Sequence, residues 1–123
     1  MKEGEKIQIP MKIYSRNLID KMHWSAKRDL RGTYQTLVRN QMILTKKRKV
    51  EDKEVVYHLS ITAHLRRLYD YDNLIGGCKQ LMDALSHEMF IWDDSPTFIV
   101  KSEYEQLKTK LDPFTVITRV LGG

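Results

Sequence analysis

The stretch EVVYHLSITAHL, residues 54–65, is the clearest strand in the sequence. Apolar side chains recur there at every second residue, with polar side chains between them. Because successive side chains of a strand point to opposite faces of a sheet, this pattern predicts a strand with one face in the core. The predicted inward face carries Val55, Tyr57, Leu59, Ile61, Ala63 and Leu65, and the predicted outward face carries His58, Ser60, Thr62 and His64.

Upstream of this strand, the sequence predicts a first strand and a long helix. Ile7, Ile9, Met11 and Ile13 alternate, which is a strand pattern, and Pro10 indicates an edge or a bend. The segment SRNLIDKMHW, residues 15–24, is typical of a loop. The helix is predicted from an N-cap at Ser25 to about Leu44. Its apolar face comprises Leu30, Tyr34, Leu37, Gln41 and Leu44, and the opposite face carries Arg28, Arg31, Gln35 and Arg39.

Downstream, the pattern predicts a second helix and two further strands. The helix runs from about Cys78 to Glu88, with Gly76 and Gly77 in the turn before it or in a loosened first turn. Residues 97–106 and 114–121 alternate and are joined by LKTKLDP, which predicts a terminal hairpin. The order of elements predicts an α+β fold, in which a small mixed β-sheet of about four to five strands packs with two main helices. The second helix is expected to bury Cys78, Leu81, Met82, Leu85 and Met89.

Composition limits the class of protein. The 123 residues fit one domain spanning residues 1–123, with 41% apolar and 30% charged residues and a net charge of +5. There is no apolar run of membrane-spanning length, no secretory leader pattern and a single cysteine, Cys78, so we expect a cytoplasmic protein with no membrane partner. The sequence lacks a phosphate-binding G-x-x-x-x-G-K-[ST] loop and an H-E-x-x-H motif, which argues against a nucleotide cofactor and against zinc hydrolysis.

Acidic residues cluster in two places although the chain is basic. Asp70 and Asp72 are separated by one residue, so in an extended segment they would lie on one face with their Cα atoms about 7 Å apart. Two such carboxylates suit Mg²⁺ or Mn²⁺, which prefer oxygen ligands and support phosphodiester hydrolysis. The structural alternative is that Asp72 or Asn73 caps the following turn and Asp70 pairs with Arg66 or Arg67.

A second acidic pair, Asp93 and Asp94, follows the predicted second helix. It is either a polar turn before a strand or a part of the same metal site. The intervening chain is just long enough to return to Asp70 within one subunit, and completion of the site across a dimer interface is the alternative. Lys79 could neutralise a phosphate oxygen, or it could form an ordinary surface pair with Asp83 four residues later.

Several basic residues are candidate nucleic-acid contacts. Arg66 and Arg67 precede the first acidic pair, and MHWSAKR, residues 22–28, places His23 and Trp24 beside Lys27 and Arg28. An aromatic side chain among cations suits base stacking with phosphate contacts. Packing of Trp24 at the start of the helix is the commoner explanation, and we favour it here.

The block RRLYDYDNLIGGCKQLMDAL, residues 66–85, followed by IWDDSP, residues 91–96, resembles the RusA family of Holliday-junction resolvases, particularly its phage and prophage branch. The shared elements are basic residues, D-x-D-N-L, a lysine four residues before D-A-L, and a later aspartate pair. One departure is the IGGC insertion between Leu74 and Lys79, since the best-known members place the lysine closer to D-N-L. The motif covers about a quarter of the chain, and a looser similarity extends over most of the rest.

This resemblance implies a RusA-like fold and a Mg²⁺-dependent homodimer that nicks four-way DNA junctions symmetrically, in a bacterial or phage-infected cell. It gives Asp70, Asp72 and Asp94 the essential carboxylate and metal-binding roles and Lys79 the catalytic role, while Asp93 either assists or only flanks. Arg66, Arg67, Lys27 and Arg28 are the expected DNA contacts. Two alternatives stay open, a less selective nuclease for flaps, forks or RNA, and a junction-binding protein without catalysis.

Overall fold

The computed structural model of the chain describes residues 4–52, 56–93 and 99–121. It confirms the α+β class, with a small mixed sheet and two main helices. Every helix in the described residues is too short or too polar to cross a bilayer. The strands there are β1 (Glu5–Ile9), β2 (Tyr57–Leu65), β3 (Ile99–Lys108) and β4 (Phe114–Leu121), and the helices are α1 (Arg16–Asp20), α2 (Trp24–Leu44), α3 (Tyr71–Gly77) and α4 (Lys79–His87).

The strand order in the sheet is β1-β4-β2-β3. Strand β2 pairs in parallel with β3 and antiparallel with β4, which also pairs antiparallel with β1. The predicted terminal hairpin is therefore wrong, because β2 lies between the two strands that were expected to pair. The helices α3 and α4 form the crossover that returns the chain parallel to β2, and β4 then takes the other side of β2.

The alternation of β2 is confirmed, since residues 57, 59, 61, 63 and 65 are all buried and the residues between them are half-buried. Val55 lies outside the described residues. Strand β1 ends at Ile9, so Pro10 marks the bend, and Ile13 enters the core from beyond the strand. The predicted loop of residues 15–24 is wrong in part, because α1 forms there with Ser15 Oγ accepting a hydrogen bond from Leu18 N at 3.2 Å.

Helix α2 ends where the sequence predicts but buries a neighbouring row of side chains. Its N-cap is His23 rather than the predicted Ser25, with His23 Nδ1 accepting from Ser25 N at 3.3 Å. The predicted inward residue Leu44 is 73% exposed. Rows three and four residues apart lie side by side on a helix, so sequence spacing alone could not choose between them. The buried row is Leu30, Tyr34, Val38 and Met42.

The basic face of α2 borders α4 while its arginines stay exposed. Arg28, Arg31 and Gln35 line a groove of about 430 Å³ opposite Asp83 and His87 of α4. Further along, Arg39 Nε donates to Glu88 Oε1 at 2.7 Å, and the carboxylate of Glu88 is almost fully buried. Arg39 therefore links α2 to the residue that follows α4.

Candidate functional site

The backbone that leads into the first acidic pair is fixed by the edge strand β3. Gln106 Oε1 accepts a hydrogen bond from Tyr69 N at 2.8 Å, and Gln106 Nε2 donates to Tyr69 O at 2.7 Å. The Tyr69 hydroxyl donates to Ile13 O at 2.8 Å. Burial raises the pKa of Tyr69, so this hydroxyl stays protonated and continues to donate. Both the backbone and the side chain of the residue before Asp70 are thus held in place.

Asp70 and Asp72 lie at the start of α3, and both side chains are exposed. The segment is not extended, because Asp70 is the N-cap and Asp72 already belongs to the first helical turn. The argument from strand spacing, which required an extended segment, therefore does not hold.

The structural explanations for these acids are realised only in part. Asp70 makes no side-chain capping bond, whereas Asp72 lies in the first turn of α3, where a negative charge is favourable. Asn73 Oδ1 accepts a hydrogen bond from Asn17 N of α1 at 3.0 Å. Arg66 Nη2 donates to Asp112 Oδ1 at 3.1 Å and so pairs with the β3–β4 turn instead of with Asp70. Within the described part of the chain, neither Asp70 nor Asp72 forms an ion pair. Two exposed carboxylates are therefore available to a ligand.

Lys79 and Lys27, which are far apart in the sequence, line one cavity of about 510 Å³, which we call the basic cleft. The third cation of the cleft is Arg16, whose Nε lies 3.6 Å from Asp20 Oδ2. The predicted surface pair of Lys79 with Asp83 is absent from the described ion pairs. Three cations with one carboxylate among them make the cleft suited to phosphate groups. Its lining residues are Arg16, Ile19, Asp20, Lys27, Ile75, Gly76, Lys79 and Gln80.

Gly76 and Gly77 shape this cleft by permitting close approach. The structure places both in α3, so the predicted turn before the helix is wrong, and no described glycine has a positive φ. A Cβ atom on Gly76 would overlap the aliphatic stem of Arg16, and one on Gly77 would overlap the carbonyl oxygen of Tyr14. The two glycines let the end of α3 pack directly against the segment that begins α1. The inserted IGGC thus has a packing role.

Asp72 lies on the side of α3 that leads to the cleft. Cys78, between α3 and α4, keeps right-handed helical angles (φ −77°, ψ −8°), and its N–H donates to Leu74 O and Ile75 O. The helical path is therefore nearly continuous, and Asp72, Gly76 and Lys79 follow spacings of four and three along one side. Seven residues rise about 10 Å along a helix. Asp72 and Lys79 thus stand at opposite ends of one wall.

Cys78 itself is not a catalytic candidate. Its side chain is fully buried, and burial raises the pKa of the thiol to about 12. The nucleophilic thiolate is therefore scarce at neutral pH.

Arg66 and Arg67 line a separate cavity of about 250 Å³ together with Lys12 and Tyr69. The described structure thus places basic side chains in two cavities and does not bring the four predicted DNA contacts into one.

The second acidic pair is described only in part. Asp93 is exposed, and Asp94 lies outside the described residues, so its role stays a prediction. The chain before it is anchored, because Arg119 Nη1 donates to Phe90 O at 2.8 Å and Val50 N donates to Met89 O at 2.7 Å. The described residues contain no group of three or more His, Cys, Asp or Glu side chains able to hold a metal ion. The chemistry of Asp70 and Asp72 still fits Mg²⁺, which takes one or two carboxylates and fills its other positions with water and substrate oxygens.

Trp24 is the first residue of α2 and contacts His23 there, as packing at the helix start predicts, but its side chain is 64% exposed and is not part of the core. The guanidinium of Arg28 lies over the indole, 5.0 Å from the ring centroid. Arg28 therefore belongs with Trp24 and with the groove between α2 and α4, whereas Lys27 enters the basic cleft.

Sequence reasoning missed three contributors to this region, Arg16, Lys12 and Gln106. Arg16 and Lys12 lie in the part of the chain before α2, where no periodic sequence pattern distinguishes them. Gln106 reaches Tyr69 across 37 positions in the sequence. A contact of that range has no local signal, and only the fold reveals it.

No protein-family model matches the sequence, and no curated protein matches it significantly.

Proposed function

We propose that the protein is a Mg²⁺-dependent, structure-specific DNA endonuclease that resolves Holliday junctions and other branched DNA by paired nicks, with Mn²⁺ able to replace Mg²⁺. The single observation that carries the proposal is that one helix connects two exposed carboxylates to a group of cations. Asp70 and Asp72 are exposed carboxylates without ion partners in the described residues, and α3 connects them to a cleft with three cations. A metal site beside a phosphate site is the arrangement that phosphodiester hydrolysis requires.

Asp70 and Asp72 would hold the metal ion, with Asp94 as the third carboxylate implied by the resemblance to RusA-type resolvases. When bound, Mg²⁺ supplies neutralisation of phosphate charge and activation of water. The chain's own cations would bind the phosphate groups. The ammonium of Lys79 would donate hydrogen bonds to a phosphate oxygen as negative charge accumulates on it, while Lys27 and Arg16 would hold neighbouring phosphates in the cleft.

Resolution of a junction needs two cuts in opposed strands, and a two-fold homodimer would supply two sites in the required relation. Arg66 and Arg67, with Lys12 in the same cavity, would contact a second stretch of backbone. Asp94 could join its own subunit's site or the partner's.

The proposal is tested by nicking of synthetic four-way junctions with Mg²⁺ or Mn²⁺. Asp72→Asn removes one charge without changing side-chain size, and we expect the nicking rate to fall about 100-fold or more, since metal-ion catalysis supplies several kcal/mol and each 1.4 kcal/mol is tenfold in rate. The matched control is Asp29→Asn, which changes an exposed carboxylate on α2 and should cut at the wild-type rate.

Equal cutting by wild type and Asp72→Asn would overturn the proposal, and so would the lack of cutting with either metal. Competition with unlabelled linear duplex defines the substrate class. A junction-selective enzyme keeps its rate in that competition, whereas a general nuclease loses it in proportion to the duplex added.

A further inference from the structure

An exposed aromatic platform stands next to the basic cleft. Trp24 is the first residue of α2 and presents 64% of its surface to solvent, which is unusual for so large an apolar side chain. Two planar groups lie near its ring, the guanidinium of Arg28 at 5.0 Å and the His23 ring at 5.5 Å with a 40° tilt. His23 is itself held by Ser25, whose Oγ lies 2.9 Å from His23 Nδ1. The indole is thus oriented at the surface by its neighbours and is not part of the core.

The position of this platform relative to the phosphate-binding cations is fixed by the helix. Lys27 lies one turn after Trp24 and lines the basic cleft, and residues three apart on a helix are neighbours on its surface. The rise between them is about 4.5 Å. Arg28, over the indole, also lines the groove on the other side of α2. An aromatic ring with a phosphate-binding cation at this distance is the arrangement by which proteins hold single-stranded nucleic acid.

We propose that Trp24, backed by Arg28, stacks against an unpaired DNA base while Lys27 and the basic cleft hold the adjoining backbone. This inference rests on the proposed function for the presence of DNA, and it goes further by specifying which feature of the DNA is read. Every nucleobase has a π-face that stacks on an aromatic ring whatever the sequence. Paired bases inside a duplex hide that face, so the platform selects DNA whose bases are unstacked, as at a branch point.

The first experiment uses the indole itself as the probe. The chain has two tryptophans, and Trp92 is half-buried, so Trp92→Phe leaves Trp24 as the only indole. This protein is titrated without divalent metal, so that nothing is cut, with a four-way junction carrying unpaired thymines at its centre and with a blunt linear duplex. We expect strong quenching of Trp24 fluorescence by the junction and little by the duplex at equal occupancy measured by DNA anisotropy.

The second experiment measures affinity in variants of the otherwise unaltered chain. Trp24→Ala should weaken binding to the junction with unpaired bases about tenfold, since loss of a base–aromatic stack is of that order, and should leave duplex binding unchanged. Trp24→Phe keeps a ring and should restore most of the affinity. The matched control is Ile43→Ala, which removes an equally exposed apolar side chain from the far end of the same helix, about 28 Å away.

Two results would overturn the stacking inference while leaving the nuclease proposal intact. One is DNA binding without quenching, and the other is equal affinity of Trp24→Ala and wild type. A Trp24→Ala protein that dissociates into monomers with unchanged affinity per protomer would show that the indole is a protein contact, which also overturns it. Failure to bind any DNA would overturn both proposals.

Discussion

Two cationic side chains of this protein are used in opposite ways, and the contrast separates residues that serve the fold from residues available for function. Arg119, on β4, is only 2% exposed. Its Nη1 donates to Phe90 O at 2.8 Å, and its Nη2 donates to Arg48 O at 2.7 Å and to Glu5 at 3.1 Å. Lys79 is exposed in the basic cleft and makes no hydrogen bond or ion pair among the described residues. A charge that stabilises the fold is surrounded by its partners, whereas a charge kept for a ligand stands without them.

Arg119 also explains how the sheet holds the rest of the molecule. The two carbonyl groups that it binds belong to the segments that follow α2 and α4, so one side chain ties both helix exits to β4. The guanidinium lies 4.2 Å from the ring centroid of Phe90, which shields these hydrogen bonds from water. The same anchor fixes the chain shortly before Asp93. The buried cation therefore holds the chain that leads to the second acidic pair.

The largest effect is expected from removal of this anchor. Arg119→Met keeps an apolar stem but leaves the buried Phe90 carbonyl, the Arg48 carbonyl and the Glu5 carboxylate without their donor, so the free energy of unfolding should fall by about 3 kcal/mol or more. Urea denaturation measures the loss. Arg31→Met, which removes an exposed arginine on α2, is the control and should change the value by less than about 0.5 kcal/mol. Similar losses in the two variants would contradict the assignment of Arg119 as the structural cation.

The sequence predicts the regular secondary structure of this protein but not its long-range contacts. The alternation of β2 and the end of α2 at Leu44 are visible locally, because burial imposes its period on the residues themselves. The sheet order was mispredicted because pairing of β4 with β2 rather than with β3 depends on the crossover helices. The same reason applies to Arg119, which looks like an ordinary residue in an alternating strand until its partners are known.

The sequence predicts which residue types form the candidate site but not the backbone conformation that carries them. The positions of Asp70, Asp72 and Lys79 stand out as charges around an amphipathic segment. The start of α3 at Tyr71 does not, since a helix of seven residues is too short to show periodicity and its entry is set by Gln106 on a distant strand. The sequence therefore leaves open whether Asp70 and Asp72 share the face of an extended segment or lie at a helix start, and the structure shows the helix start.

Two glycine-to-alanine substitutions are expected to change the free energy of unfolding by an intermediate amount and in opposite directions. Gly77→Ala places a Cβ atom against the carbonyl oxygen of Tyr14, a backbone atom that cannot rotate away, so we expect a loss of about 1–3 kcal/mol in the free energy of unfolding. Gly32→Ala lies within α2 with open space around the new atom, so we expect a gain of about 1 kcal/mol from helix propensity. Thermal unfolding of both proteins is the measurement. A Gly77→Ala protein as stable as wild type would show that the close packing of α3 is not what the glycine at position 77 provides.

The smallest effect on stability, and the sharpest test of the comparison, is expected at Lys79. Lys79→Met removes an exposed cation from the first residue of α4, where a positive charge is slightly unfavourable to the helix, so the free energy of unfolding should stay within about 0.5 kcal/mol of wild type or rise slightly. The rate of junction nicking should nevertheless fall about 100-fold, as for other side chains that stabilise charge in a transition state. Urea denaturation and the nicking assay are performed on the same preparation. If the free energy of unfolding falls in Lys79→Met as it does in Arg119→Met, Lys79 is a structural residue and is not kept for a ligand. If the free energy of unfolding and the nicking rate are both unchanged, Lys79 serves neither the fold nor the substrate. The basic cleft is then only a solvated surface.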